Sequence, residues 1–157
     1  MNFSMERHLS MNRPWSRFHA LAAACVLLLG ATCVLATVDE SHDFAMEAAT
    51  PFVEQGFIVR EDYWNGEVKS GQKLMITHQL FKGNEYAFWL GTSQEGVTLD
   101  MKIYDEKNQP VQISAKADKF FMSARVNPPK TGTYKIVFEL KSKATPGVPW
   151  ALAYGYR

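Results

Sequence analysis

The sequence predicts an all-β fold, an antiparallel two-sheet β-sandwich of the jelly-roll or Greek-key type, with a short N-terminal helical segment. Three observations predict it. Apolar and polar residues alternate with period two in many segments, turn-forming residues separate these segments, and the segments recur about every 8–15 residues. This pattern is typical of antiparallel strands that bury one face. At 157 residues, the chain has room for one such domain.

The N-terminal residues have the three-part layout of a secretory signal peptide. Arg7, Arg13 and Arg17 precede a run from Ala20 to Val38 that contains no charge, and the small or branched residues of 34–36 offer a cleavage site before Thr37. We therefore predict a signal peptide over residues 1–36 and a periplasmic or secreted protein. Two alternatives stay open: the run could remain as a membrane anchor, and translation could start at Met1 or at Met11.

The composition of the predicted mature chain excludes several classes of function. Residues 1–36 hold three arginines and one glutamate, so the 17 basic and 16 acidic residues of the whole chain become 14 and 15. This balance argues against a nucleic-acid partner, and it leaves membrane contact only to an uncleaved N-terminal segment. Both cysteines, Cys25 and Cys33, lie in the predicted signal peptide. We therefore expect neither disulfides nor thiolate metal ligands.

Residues 37–56 form the predicted helical segment, and residues 57–157 the β-sandwich domain. Ser41 is a candidate N-cap, Pro51 either interrupts the helix or begins a second turn, and Gly56 ends it. Asn65-Gly66 predicts a turn. Eight strands are expected, over residues 57–60, 73–80, 86–90, 99–103, 111–115, 120–126, 134–140 and 150–156.

One predicted strand is apolar on both faces. Tyr86, Phe88 and Leu90 share one face, and Ala87 and Trp89 the other. A strand of this kind lies in the centre of a sheet and is covered on both sides, so we expect the N-terminal helix to pack on it. The two sheets are expected to meet through four inward side chains, Tyr86, Met101, Met122 and Ile136.

Several strand and turn motifs between 66 and 156 resemble the bacterial pre-peptidase C-terminal domain family. The motifs are Gly71 before the 74–80 strand, Gly83-Asn84-Glu85-Tyr86-Ala87-Phe88, Leu99 to Asp105, and Thr131-Gly132-Thr133-Tyr134-Lys135-Ile136. The resemblance implies a β-sandwich that accompanies exported enzymes without being catalytic, and that contacts substrates or glycans. It implies no calcium site here, because no acidic cluster matches one.

Residues that could carry chemistry are few, and we predict no catalytic, cofactor-binding or metal-binding residue. The predicted mature chain has two histidines, His42 and His78, without the spacing of a zinc site. Gly91 to Glu95 resembles the start of a nucleophile elbow but lacks its second glycine, so a hairpin loop is expected. The acidic pairs Glu61/Asp62 and Asp105/Glu106 are expected to be solvated turns.

Aromatic residues are the best candidates for binding, although core packing is the commoner role. The candidates are Tyr63, Trp64, Trp89, Trp150, Tyr154 and Tyr156. Trp64 stands out because charged and turn-forming residues surround it, which predicts a loop. A flat exposed patch containing Trp64 or Trp150 would favour binding, and its absence would favour a scaffold.

These observations predict a non-catalytic exported binding or interaction module of a bacterial envelope, whose ligand is unknown. The partner that we expect for this module is a protein or a glycan. Two alternatives are a structural envelope component that self-associates and a hydrolase that uses unrecognised carboxylates, such as Glu61 and Asp62 with His78. The hydrolase requires these three side chains to meet in one cleft.

Overall fold

The computed structural model describes residues 39–157, so the predicted signal peptide lies outside the described residues. The described chain begins with helical residues 39–53, which we call α1. The strands that follow are β1 (Ile58–Val59), β2 (Trp64–Lys69), β3 (Lys73–Leu80), β4 (Tyr86–Gly91), β5 (Val97–Tyr104), β6 (Pro110–Val111), β7 (Ser114–Ala117), β8 (Phe121–Val126), β9 (Gly132–Ser142) and β10 (Gly147–Tyr156).

The strands form two antiparallel sheets, which confirms the predicted all-β sandwich. In the first sheet the order is β1-β10-β4-β8-β7, and β2 also pairs with β10 on the side of β1. In the second sheet the order is β3-β9-β5-β6. The short turn of residues 70–72 carries the chain from β2 in one sheet to β3 in the other. Strands β1, β2 and β3 therefore lie on the same side of the sandwich.

The main core lies between the two sheets. The period-two alternation of β5 and β9 points one row of each strand inward, and Met101, Ile103, Ile136 and Phe138 are buried there. Tyr86 and Met122 join the same cluster from the first sheet, so the four predicted contact residues are confirmed. Each large apolar side chain buried in this way contributes about 1.5–3 kcal/mol to the free energy of unfolding.

A second core lies between the first sheet and α1. Ala45, Ala48 and Ala49 on the helix pack against Ala87 and Trp89 of β4, together with Phe57 and Ala153. All six residues of β4 are buried, which confirms that this strand is covered on both faces. Because alanines line the helix, its backbone approaches the sheet closely, and only a glycine fits at position 91, where the two meet.

The end of α1 is a Schellman motif. Phe57 N donates to Phe52 O and Gly56 N donates to Val53 O, both at 3.0 Å, and Gly56 has a φ of 88°. Gly56 thus ends the helix as predicted. The prediction for Ser41 is wrong, because Ser41 lies inside the helix, where it is buried and accepts a hydrogen bond from Ser93 N. Pro51 does not interrupt α1, which continues to residue 53.

Three other local predictions are wrong. Asn65-Gly66 is not a turn, because both residues belong to β2 and pair with β10, whose Trp150 lies opposite Gly66. The segment 111–115 is not one strand, since β6 pairs in the second sheet and β7 in the first. The loop after Gly91 is not a hairpin, because it joins β4 and β5 in different sheets. In each case the two-sheet topology overrides the local pattern.

Two smaller differences concern positions near the strand ends. Phe120 begins the predicted strand 120–126, but it precedes β8 and stacks on Phe44 of α1 at a centroid distance of 4.4 Å. The predicted loop 141–149 is shorter, because β9 extends to Ser142 and β10 begins at Gly147. Within residues 39–157, no helix has both the length and the apolar character needed to cross a membrane.

Candidate functional site

The candidate site lies on the side of the sandwich where β1, β2 and β3 face each other. We call this side the open edge and define it as residues 58–64 and 73–81. The first sheet ends here with β1 and β2, and the second sheet ends with β3. Because each strand has a neighbour on one side only, inward residues here are less covered than those of the central strands. Leu74 and Ile76, for example, are half-buried.

Three rings meet between the two sheets at the open edge. Trp64 lies opposite Leu152 in the β2–β10 ladder and therefore points toward the core. Its ring is 5.8 Å from His78 and 5.5 Å from Tyr154, measured between centroids, and His78 is 4.4 Å from Tyr154. The edge-on arrangement of His78 against both rings is typical of packed aromatic side chains. Trp64 is thus a half-buried strand residue, and the predicted loop placement is wrong.

A polar group covers this aromatic cluster. The Tyr154 hydroxyl donates to Asp62 Oδ2 at 3.1 Å, and Arg60 Nε lies 3.5 Å from Asp62 Oδ1. The backbone N–H of Arg60 also donates to Tyr154 O at 3.0 Å. Hydrogen bonds from its own backbone N–H and from Tyr154 lower the pKa of Asp62, so this carboxylate is ionised at neutral pH.

His78 and Tyr154 are both less easily charged than in water. Burial lowers the pKa of His78, and the nearby Asp62 carboxylate only partly opposes this effect. Burial is also the largest cause of the raised pKa of Tyr154, followed by its hydrogen bond to Asp62. Both groups are therefore neutral at pH 7. The cluster presents one fixed anion, one cation and neutral hydrogen-bonding rings.

Beside these residues lies a shallow cleft of about 420 Å³. The residues that line it are Arg60, His78, Gln79, Phe81, Asn84, Tyr86, Tyr154 and Tyr156. Their side chains offer hydrogen-bond donors and acceptors beside aromatic surface, a combination typical of binding sites. Serine, threonine and cysteine, the residues that most often act as nucleophiles, are not among them.

The turn after β3 holds Phe81 in an exposed position. Phe81 N donates to the hydroxyl of Tyr86 at 3.1 Å, and Lys82 N donates to Thr131 Oγ1 at 3.0 Å. Asn84 Nδ2 approaches the same Tyr86 hydroxyl at 3.4 Å. Tyr86 is itself buried in the main core. The exposed phenyl ring of Phe81 is therefore carried by a turn whose backbone is held by hydrogen bonds.

The structure distributes the remaining sequence candidates over other parts of the domain. Glu61 does not line the cleft beside His78, so the three members of the hydrolase hypothesis do not share one cleft, although Asp62 and His78 both contact Tyr154. Tyr63 stacks on His42 of α1 at 3.8 Å between centroids. Trp89 and Trp150 are buried. Trp64 is half-buried, so neither Trp64 nor Trp150 contributes to a flat exposed patch, and the absence of such a patch is the outcome expected to favour a scaffold.

The acidic turn and the elbow-like loop have structural roles. Asp105 Oδ1 accepts hydrogen bonds from the backbone N–H groups of Lys107 and Gln109, as in a solvated turn. Glu106 Oε1 accepts one from Thr133 N at 2.9 Å. In the loop after Gly91, Thr92 is buried and its hydroxyl donates to Pro149 O at 2.8 Å. Within residues 39–157, no three histidine, cysteine or acidic side chains converge in a way that could hold a metal ion.

Three residues of the open edge, Arg60, Met75 and Phe81, carry no signal in the sequence that singles them out. Arg60 meets Asp62 two residues away, but both reach Tyr154 only because β10 returns beside β1. Met75 lies on the outer face of β3, which is ordinary for an alternating strand. Phe81 directly follows β3, and only the tertiary fold shows that its ring is exposed.

Comparisons with known proteins find similarity among solved structures alone. No protein-family model matches this chain, and no curated protein matches it. Among solved structures, the chain is similar to PliG of Aeromonas hydrophila, a periplasmic lysozyme inhibitor of g-type lysozyme, with a TM-score of 0.44 and 17% sequence identity. The similarity covers 66% of this chain and 90% of PliG. A likeness of this size assigns no activity to the present chain.

Proposed function

We propose that this chain is a non-catalytic, exported binding module that contacts a protein partner through its open edge. One observation carries the proposal. Among residues 39–157, four large apolar side chains are highly exposed, and three of them, Ile58, Met75 and Phe81, lie on the open edge at 58%, 60% and 52% exposure. Met75 and Phe81 stand about 20 Å apart along the chain, so the three mark one side of the sandwich rather than a continuous patch. Exposed apolar side chains that share one side of a protein indicate an interaction surface more than singly scattered ones do.

The surroundings of these side chains favour a protein partner. A phenyl ring, an arginine and tyrosines stand beside one another in the cleft, and aromatic residues and arginine are enriched where protein interfaces are strongest. The fixed turn of Phe81 and the hydrogen-bonded Tyr154 would lose little conformational freedom on binding. A surface ordered in advance binds at a lower entropic cost.

The chemistry of the edge favours binding over catalysis. Asp62 is held as an anion by Tyr154 and Arg60, whereas a general acid needs a raised pKa. The hydrolase alternative loses Glu61, and a hydrolase that uses Asp62 and His78 alone is favoured only by their shared contact with Tyr154. If His78→Ala removed a hydrolytic activity of the purified protein while its melting temperature was unchanged, that function would replace the binding role.

Export and family remain predictions from the sequence. The layout of residues 1–36 supports export, and the strand motifs of 66–156 support kinship with pre-peptidase C-terminal domains. Mass spectrometry of the protein recovered from periplasm and medium tests the first point. A mature N-terminus at Thr37 is expected. A chain that keeps residues 1–36 and stays with the membrane fraction would contradict cleavage.

The binding role is tested with paired surface variants. The exported protein and its Phe81→Ser, Met75→Ser and Ile58→Ser variants are immobilised and compared for binding to envelope proteins and to soluble peptidoglycan fragments. Removing a central interface side chain costs more than about 1 kcal/mol, so each variant should weaken binding to a protein about fivefold or more.

The fourth exposed apolar residue provides the matched control. Val53 is 54% exposed at the end of α1, outside the open edge, so Val53→Ser should leave binding unchanged. Equal binding by all four variants would overturn the assignment of the surface. Binding to glycan fragments with no protein partner would overturn the choice of partner.

A further inference from the structure

We propose that the open edge pairs with the same edge of a second copy, β3 against β3, antiparallel, about a two-fold axis that lies between the two copies of Thr77. The inference rests on the proposed role of the open edge as a contact surface and names its partner as a second copy of this chain. Such pairing would join the two β3-containing sheets into one continuous sheet of eight strands.

The first argument is the length and regularity of β3. It has eight residues, and they pair with β9 one for one, without a bulge or a proline. The other edge strands of the described sheets are shorter: β1 and β6 have two residues, β7 four and β2 six. Proteins protect free edges with short strands, prolines, bulges or central lysines, and β3 carries only Lys73 at its first position.

The second argument is incomplete burial. Ile76 and Leu74 lie opposite Ile136 and Phe138 of β9, and they point toward the same core. Yet Ile136 and Phe138 are at most 1% exposed, while Leu74, Ile76 and His78 remain half-buried. The difference arises because β3 has no neighbour on its outer side. A strand added there would cover all three side chains.

The third argument fixes the register. Directly opposed residues of an antiparallel pair point to the same face. A two-fold axis normal to the sheet must therefore lie midway between the two copies of one residue. About Thr77, Met75 faces Gln79 and Lys73 faces Phe81, so Met75 and Phe81 each gain a partner, whereas Ile58 of the first sheet lies outside this pairing. About Ile76, Phe81 would face Gly71 and stay uncovered. About His78, Met75 would face Phe81, but only five residues of β3 would pair, against seven about Ile76 or Thr77. The axis therefore lies between the two copies of Thr77.

Inward contacts and charge agree with this register. Leu74 would face Leu80, and Ile76 would face His78, so apolar or neutral groups meet along the core side. No like charges are opposed, and the ammonium group of Lys73 would meet the face of the Phe81 ring. With 14 basic and 15 acidic residues after residue 36, two copies repel each other little.

The register predicts a specific disulfide. The two cysteines of the sequence lie at 25 and 33, so Thr77→Cys would supply the sole thiol of a chain cleaved after Ala36. At the axis, the two introduced thiols would belong to directly opposed residues, within disulfide reach. Gln79→Cys is the matched control on the same face. Its symmetry mate lies four residues along the ladder, about 13 Å away, which is too far.

The experiment combines oxidation with light scattering. The Thr77→Cys protein should form a covalent dimer under mild oxidation, and Gln79→Cys should not. Thr77→Lys would place two ammonium groups opposite each other and should weaken the dimer about fivefold or more, whereas Thr77→Ser and the distant Gln112→Lys should not. Unchanged melting of Thr77→Lys at low concentration would show that the monomer still folds.

The outcomes separate this inference from the proposed function. A monomer at the highest soluble concentration would overturn the inference, and so would a dimer that crosslinks in Gln79→Cys or in neither cysteine variant. A monomer that still binds a different envelope protein, with that binding lost in Phe81→Ser, would overturn it and leave the proposed function standing. A dimer that crosslinks in Thr77→Cys alone and dissociates in Thr77→Lys supports it.

Discussion

Replacing Gly91 by alanine tests how closely α1 packs on the sheet. A Cβ atom at this position would lie 2.6 Å from the backbone N of Ala45 and closer still to the Ser41 carbonyl oxygen. Both obstacles are helix backbone, so the clash is relieved only if the helix or β4 moves. Such a movement would separate Ala45 and Ala48 from Trp89, which is fully buried beneath them.

We expect Gly91→Ala to lower the free energy of unfolding by about 2 kcal/mol, within the usual range for overpacked cores. For a domain of this size, that corresponds to a melting temperature lower by about 8 °C. Thermal and urea unfolding followed by circular dichroism measure both quantities. Tryptophan fluorescence should also shift as Trp89 gains contact with water.

Gly147→Ala is the control, because the three atoms nearest its added Cβ all belong to the exposed, flexible side chain of Glu67. This variant should change the melting temperature by less than about 2 °C. If Gly91→Ala melted at the wild-type temperature, the close seating of α1 on β4 would be wrong.

Two further predictions concern pH. Partial burial alone would raise the pKa of Glu85, but hydrogen bonds from Arg157 and Arg125 outweigh this effect and lower the pKa. The stabilisation that these hydrogen bonds give the folded state is therefore present above about pH 4.5. It is lost as the pH falls through the lower pKa of the folded state. Glu85→Gln should cost about 1–2 kcal/mol at pH 7 and flatten this acid dependence, whereas Glu95→Gln, whose pair with Lys119 is exposed, should cost little. Burial lowers the pKa of His78, so the unfolded chain binds a proton first, and stability should fall as the pH drops below about 6.5. Urea unfolding between about pH 7.5 and about pH 5 should show this fall in the free energy of unfolding for the wild type and not for His78→Gln. An equal fall in both proteins would contradict the assignment of this pH dependence to His78.

The fold could be predicted from the sequence because the pattern is strongest where burial is greatest. Strands β5 and β9 alternate cleanly, since one face of each lies on the main core and the other on water. The apolar residues on both faces of β4 could only mean a strand covered twice, and α1 supplies the second cover. These features reflect local geometry and burial, which period-two patterns report directly.

The candidate site could not be predicted in the same way. Trp64 follows charged residues and precedes Asn65-Gly66, so every local signal indicates a loop, yet pairing with β10 makes it a strand. The hydrogen bond between Tyr154 and Asp62 joins residues 92 positions apart. Such a contact depends on which strands become neighbours. One sequence alone does not contain that information in any short window.

The placement of β10 has a consequence for how the molecule reaches its final form. This strand follows the other nine described strands in the chain, yet it lies inside its sheet, with β1 and β2 along one side and β4 along the other. The edges of β1, β2 and β4 that pair with β10 therefore stay unpaired until residues 147–156 have been synthesised. A chain passing through a narrow channel would therefore keep this sheet open until residues 147–156 are released, after which its two parts could close around β10.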